Sequence, residues 1–132
     1  DATTGEPLMT LSGNTDIMIV SGIYSPDGSH IASGSNDGTA LVWDAITGDI
    51  LLTLAGHTDA VSKIAYSLDG SYIISGSYDN TMRIWDANTG ESLFTLNGHT
   101  SFVGSVAQNP DGTRIASGSS DGTIRIWGIP ND

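Results

Sequence analysis

Short runs rich in Ile, Val, Thr, Tyr and Trp alternate along this chain with clusters of Gly, Asp, Asn, Ser and Pro; Val61 to Tyr66, Tyr72 to Ser75, Met82 to Trp85 and Leu93 to Leu96 are four of the runs. Each is roughly four to six residues long, the usual length of a β-strand. No stretch carries the 3.6-residue apolar period of an amphipathic helix. Between the runs, Asp37-Gly38, Asp79-Asn80 and Asp121-Gly122 supply residues that accept the positive φ of tight hairpin turns. The pattern predicts an all-β chain of short antiparallel strands joined by turns.

The runs recur in register. Trp43, Trp85 and Trp127 stand at an interval of 42 residues (85 − 43 and 127 − 85). Leu54-Ala55-Gly56-His57-Thr58-Asp59 aligns with Leu96-Asn97-Gly98-His99-Thr100-Ser101, and more loosely with Leu11-Ser12-Gly13-Asn14-Thr15-Asp16. Ser25-Pro26-Asp27-Gly28 returns as Ser67-Leu68-Asp69-Gly70 and Asn109-Pro110-Asp111-Gly112, and Thr4-Gly5 as Thr47-Gly48 and Thr89-Gly90. A repeat of this length means one supersecondary unit of four strands used several times, none able to bury its apolar faces alone. The units run 1–43, 44–85 and 86–127, with a tail at 128–132, in a single domain. The first carries one extra residue between Gly13 and Gly28, within Ile17 to Gly22, expected as a bulge in its first strand.

Gly-His near the start of a unit, Ser-Gly-Ser-x-Asp-x-Thr in its middle and Ile-Trp-Asp at its end resemble the WD-repeat β-propeller family, from Asp1 to Trp127. Two departures stand out: Asn14 replaces the His of the first unit, and Gly128 replaces the Asp after the last Trp. The resemblance implies propeller blades of four antiparallel strands, three blades per chain. Each unit would give the outer strand of one blade and the inner three of the next. It also implies a buried hydrogen-bond chain in which the Trp indole N–H donates to Ser, Ser meets one His nitrogen, and the other reaches Asp. The matching sets are Trp85, Ser75, His57, Asp79 and Trp127, Ser117, His99, Asp121; the first unit keeps Ser33, Asp37 and Trp43. Members of such a chain satisfy one another, so their burial is tolerable.

Taken alone, Ser, His and Asp suggest a hydrolase triad. The set recurs once per unit, however, where an enzyme needs one site, and neither a Gly-x-Ser-x-Gly elbow nor an evident oxyanion donor pair accompanies it. The expectation is a non-enzymatic chain without a cofactor. Asn14 is shorter than His and cannot take a charge, which predicts that the first blade has the weakest loop. Asn14→His is therefore expected to raise the melting temperature, and a melting comparison without any gain would refute this.

Composition narrows the partners. Lys plus Arg number 4 against 15 Asp plus Glu, a net charge of −11, and the cations Lys63, Arg83, Arg114 and Arg125 are too sparse to track phosphates. Such a surface repels nucleic acid and anionic membranes, so neither is expected as a partner. Many of the Asp residues occupy turns, where they keep the protein dispersed. The absence of cysteine excludes disulfides and Cys-ligated zinc. Three scattered histidines make no metal site, and His30, just after a turn, is expected as a solvated side chain. Ser35-Asn36-Asp37-Gly38 lacks the twelfth-position Glu of a calcium loop. No apolar run is long enough for a transmembrane helix, and the chain starts at Asp1 without Met or a signal-like segment, as a trimmed, processed or excised piece would. The expected location is the cytoplasm.

Three blades do not complete a ring. Each would have to turn about 120°, whereas propellers close with roughly four to eight blades. The first strand, expected at Leu8 to Leu11, would be an outer strand without its inner three, and the last three strands, within 102–127, would lack an outer one. Unpaired edges invite another chain. The expected repair is inter-chain pairing of Leu8, Met9, Thr10 and Leu11 with the strand holding Ile124 and Ile126 of the next copy. That head-to-tail contact closes a homodimer of six blades or a homotrimer of nine; the alternative is that further blades belong to the same natural polypeptide and that this is a purely structural or engineered propeller fragment. Function is expected on the face carrying the Gly-His and Ser-x-Asp loops, where the resemblance implies protein or peptide binding. Asp16, Asn36, Asp59, Tyr78, Phe102 and Ser120, with Ile17, Ala60 and Ser101 beside them, are the candidates, and aromatic Tyr78 and Phe102 suit binding hot spots.

Overall fold

A computed structural model describes residues 1–13 and 18–129. Among them are eleven strands and no helix: β1 (Ile19–Tyr24), β2 (His30–Ser35), β3 (Thr39–Asp44), β4 (Ile50–Ala55), β5 (Val61–Tyr66), β6 (Tyr72–Ser77), β7 (Met82–Asp86), β8 (Ser92–Leu96), β9 (Val103–Gln108), β10 (Arg114–Ser119) and β11 (Ile124–Gly128). They form sheets ordered β1-β2-β3-β4, β5-β6-β7-β8 and β9-β10-β11, every neighbour antiparallel. These are the blades of an open arc, two with four strands and one with three, and the inner strands β1, β5 and β9 lie side by side. Turn chemistry explains the hairpins. Gly38 and Gly122 sit at φ 87° and 84°, and Asn80 takes the same place at φ 73°, as the most tolerant non-Gly residue type can.

The core lies between blades. Ala32, Ala40, Val42 and Leu54 of the first pack with Ile64, Ile73 and Trp85 of the second. Ile74, Met82 and Ile84 of the second pack with Val103, Val106 and Ile115 of the third. Each fully buried Val, Leu, Ile or Met side chain among them is worth about 1.5–3 kcal/mol, so packing between blades adds to the ladders within them.

Two sequence-based expectations need correction. The stretch 8–11 forms no ladder, because no strand of the same chain lies beside it to share hydrogen bonds; Leu8 and Met9 are exposed and Leu11 is half-buried. The bulge is also not peculiar to the first unit. A register shift occurs between Ile19 and Ser21, between Val61 and Lys63, and opposite Gly118 and Ser119 in β9, so it recurs in every inner strand. Ile19 comes six positions after Gly13, while Val61 and Val103 come five after Gly56 and Gly98. The extra residue therefore falls before β1, in a stretch that includes residues outside the described ones.

Candidate functional site

The loops at one end of the strands are fixed by a repeated polar relay. Trp85 Nε1 donates to Ser75 Oγ at 2.8 Å, His57 Nε2 lies 2.7 Å from the same oxygen, and His57 Nδ1 lies 2.8 Å from Asp79 Oδ2. The third blade repeats this with Trp127, Ser117, His99 and Asp121 at 2.8, 2.8 and 2.7 Å. One proton arrangement satisfies every member: Trp N–H to Ser oxygen, Ser O–H to Nε2, and Nδ1–H to carboxylate. In the first blade Trp43 donates to Ser33 at 2.8 Å and Asp37 accepts from Thr39. Asn14 lies outside the described residues.

The carboxylates gather more donors than the motif suggested. Asp79 Oδ1 accepts the Thr81 N–H and hydroxyl at 2.9 and 2.7 Å, and Oδ2 the Thr58 N–H at 3.1 Å; Thr123 and Thr100 do the same for Asp121. Ser77 and Ser119, second in each Ser-Gly-Ser, donate to the carbonyls of Asp59 and Ser101 at 3.1 and 3.0 Å. Sequence reading gave these Thr and Ser residues no role, although their recurrence at fixed offsets from Asp was the available signal. Ser75 and Ser117 have no exposed surface. A hydroxyl so placed cannot meet a substrate from solvent.

Burial lowers the His57 pKa below its ordinary 6.5, against the opposing pull of Asp79, which keeps the ring neutral. At Asp79 burial acts upward, but hydrogen bonds from Thr81 and His57 outweigh it and the pKa is lowered. Asp121 is lowered chiefly by Thr123. At the opposite ends of the strands Ser25 and Ser29 hold Asp27 at about 2, and Ser71 and Ser67 hold Asp69 at about 2. In each case the unfolded chain binds more protons than the folded one as pH falls, so stability drops. Melting temperature should be highest above pH about 6.5, begin to fall as unfolded His57 protonates, and fall steeply from about 4 towards 2. A melting curve unchanged or rising across that interval would contradict this account.

The relay positions the face beyond it. Tyr78, in the β6–β7 turn, donates its N–H to the Ala60 carbonyl at 2.9 Å, and Asn36 and Ser120 bond Met18 and Phe102 the same way at 3.0 and 3.1 Å. Neighbouring blades also touch here: a Cβ on Gly38 would lie 2.8 Å from the His57 carbonyl oxygen, which leaves room for glycine alone. The rings of Tyr78 and Phe102 stack across the second and third blades, centroids 4.7 Å apart and tilted by 39°. Both stay exposed, Tyr78 by 50% and Phe102 by 38%. Asp59 is exposed beside them, Asn36 and Ser120 continue the face, and Asp16 and Ile17 lie outside the described residues. His30, at the other end of β2, is half-buried rather than solvated, its Nδ1 2.9 Å from Ser29 Oγ. No group of three metal-ligating side chains occurs among the described residues, and they form no helix long and apolar enough to cross a membrane.

The model of the WD domain, G-beta repeat, matches residues 5–44, 48–86 and 90–128. Among solved structures, "Structure of U3-55K" superposes with a TM-score of 0.85 at 28% identity, over 90% of this chain and 38% of that one. "Crystal structure of RRP9 WD40 repeats" does so with a TM-score of 0.85 at 28% identity, over 90% and 37%. The chain thus spans less than two-fifths of the length of these structures. A search of curated proteins finds no sequence match.

Proposed function

The chain belongs to the WD-domain, G-beta repeat family, and from that premise we propose that it is a non-enzymatic scaffold that docks a protein or peptide on the Tyr78–Phe102 face. The exposed aromatic stack carries this reading. Aromatic side chains held rigid before binding lose little entropy on contact, and here backbone hydrogen bonds fix both loops. The buried Ser-His-Asp relay supports a structural role for those residues over a catalytic one. The acidic surface favours a partner that is neither nucleic acid nor membrane, in a cytoplasmic setting, with no cofactor required.

The same proposal includes head-to-tail assembly, as a homodimer of six blades or a homotrimer of nine. Light scattering separates one, two and three copies of the 13.7 kDa chain.

The docking site is tested by displaying random peptides to the intact chain. Affinity of the enriched peptides should fall at least about tenfold for Tyr78→Ala, the loss of one hot-spot residue, and stay unchanged for Leu68→Ala, an exposed apolar residue at the opposite ends of the strands. Peptides indifferent to Tyr78, or no enrichment at all, would leave a purely architectural propeller fragment.

A further inference from the structure

One junction of the docking face departs from the repeat. Tyr78 and Phe102 stand where the preceding junction has Asn36 and Ala60, each 42 residues earlier (78 − 36 and 102 − 60). The blades pack across both junctions, so the arc does not need the aromatic pair to hold together. Two rings that the fold does not require are nonetheless stacked in solvent, with centroids 4.7 Å apart. The same loops expose Thr58, Asp59, Thr100 and Ser120, all polar. An aliphatic side chain would find nothing there to enclose it. A planar cation needs only a ring face, whose π electrons attract it.

Asp59 adds the opposite charge. Its carbonyl accepts the Ser77 hydroxyl at 3.1 Å and its Oδ1 the Ala60 N–H at 2.7 Å, while the Ala60 carbonyl accepts the Tyr78 N–H at 2.9 Å. The carboxylate is thereby fixed at the root of the Tyr78 turn. Ser101 takes its place in the third unit, so Asp59 breaks the repeat as well. Asp37, Asp79 and Asp121 are already occupied by Thr39, Thr81 and Thr123, and the last two also by histidine. Among the described residues no Lys or Arg pairs with a carboxylate. Asp59 therefore meets a partner's cation without giving up an ion pair of its own. A net charge of −11 draws a basic segment towards the chain as a whole.

We propose, on the docking reading above, that the partner is a peptide segment carrying arginine, whose guanidinium lies on the Tyr78–Phe102 stack and pairs with Asp59. Guanidinium rather than ammonium follows from shape and hydration. It is planar and weakly hydrated, and it stacks on a ring while its N–H fork engages a carboxylate.

Random peptides displayed to the intact chain should emerge enriched in arginine. In a synthetic copy of an enriched peptide, citrulline in place of that arginine keeps the shape and removes the charge. Binding should then weaken at least about tenfold, the loss of a charged hydrogen bond. Against Asp59→Asn the same replacement should cost clearly less, because the pair is already broken. Asp59 is exposed, so this variant should melt with the parent protein. Glu91→Gln removes an equal charge from an exposed residue in the β7–β8 turn, at the opposite ends of the strands, and should leave affinity unchanged. Peptides that depend on Tyr78 yet lack arginine, accept lysine or citrulline equally, or lose as much to citrulline against Asp59→Asn would overturn the guanidinium site while leaving docking intact. No enrichment, or enrichment indifferent to Tyr78, would overturn the docking reading and this site with it.

Discussion

Trp85→Ala should lower folding stability by about 3–5 kcal/mol, the range for removing a large aromatic from a core. Trp85 is 1% exposed in the cluster joining the first two blades, and its indole N–H is held by Ser75 at 2.8 Å. The substitution therefore opens a cavity between blades and strips a donor from a buried hydroxyl. Trp85→Phe keeps most of the volume and loses the donor, so its cost should be well under half as large. Trp127→Ala should also cost less in single chains, because Trp127 stands half-buried at the open end of the arc. Chemical denaturation at one fixed chain concentration gives the comparison, since any assembly makes stability depend on concentration. Equal losses at Trp85 and Trp127 would show that the interblade cluster is not what Trp85 supports.

His57→Ala should cost about 1–3 kcal/mol for each of the two partners it abandons, Ser75 and Asp79. The imidazole has no exposed surface and Asp79 keeps 7%, so water enters only through the space the ring leaves. Ser75→Ala in the same background should add little, because its hydroxyl has then already lost the nitrogen it served. That shortfall from additivity is the signature of one coupled relay. Additive losses in the double variant would mean that the groups act independently. The matching His99→Ala should behave alike in the third blade, where the distances agree within 0.1 Å.

Much of this was legible because the chain says the same thing three times. Runs of Ile, Val and Trp between Asp-Gly or Asp-Asn turns placed the four strands of the second blade within a residue or two of their ends, as at Val61–Tyr66 and Met82–Asp86. The Trp, Ser, His and Asp positions could be aligned by eye, and the structure brings those of the second and third units within hydrogen-bonding distance of one another. Thr81 and Ser77 were given no role because a hydroxyl in a turn looks like ordinary turn composition. Its partner, a carboxylate two residues away or a carbonyl 18 residues back, is visible only in space. The bulge in the first strand was expected in the right place but tied to the extra residue, because an inserted residue shows in an alignment while a bulge common to every unit does not.

Alone, the sequence determined the turns, the repeating unit and the strands of the second blade, because alternation, turn residues and recurrence are local properties of a chain; the members of the relay came from its resemblance to the WD-repeat family. Only tertiary structure decided that Tyr78 stacks on Phe102 from the next blade, that Ile84 is buried while its counterpart Ile126 is bare, and that Met9 to Leu11 lies in a strand's place without being one. Each of these depends on what stands across a gap between blades, and a ladder needs two strands: the same residues become strand or coil, core or surface, according to the neighbour they are given.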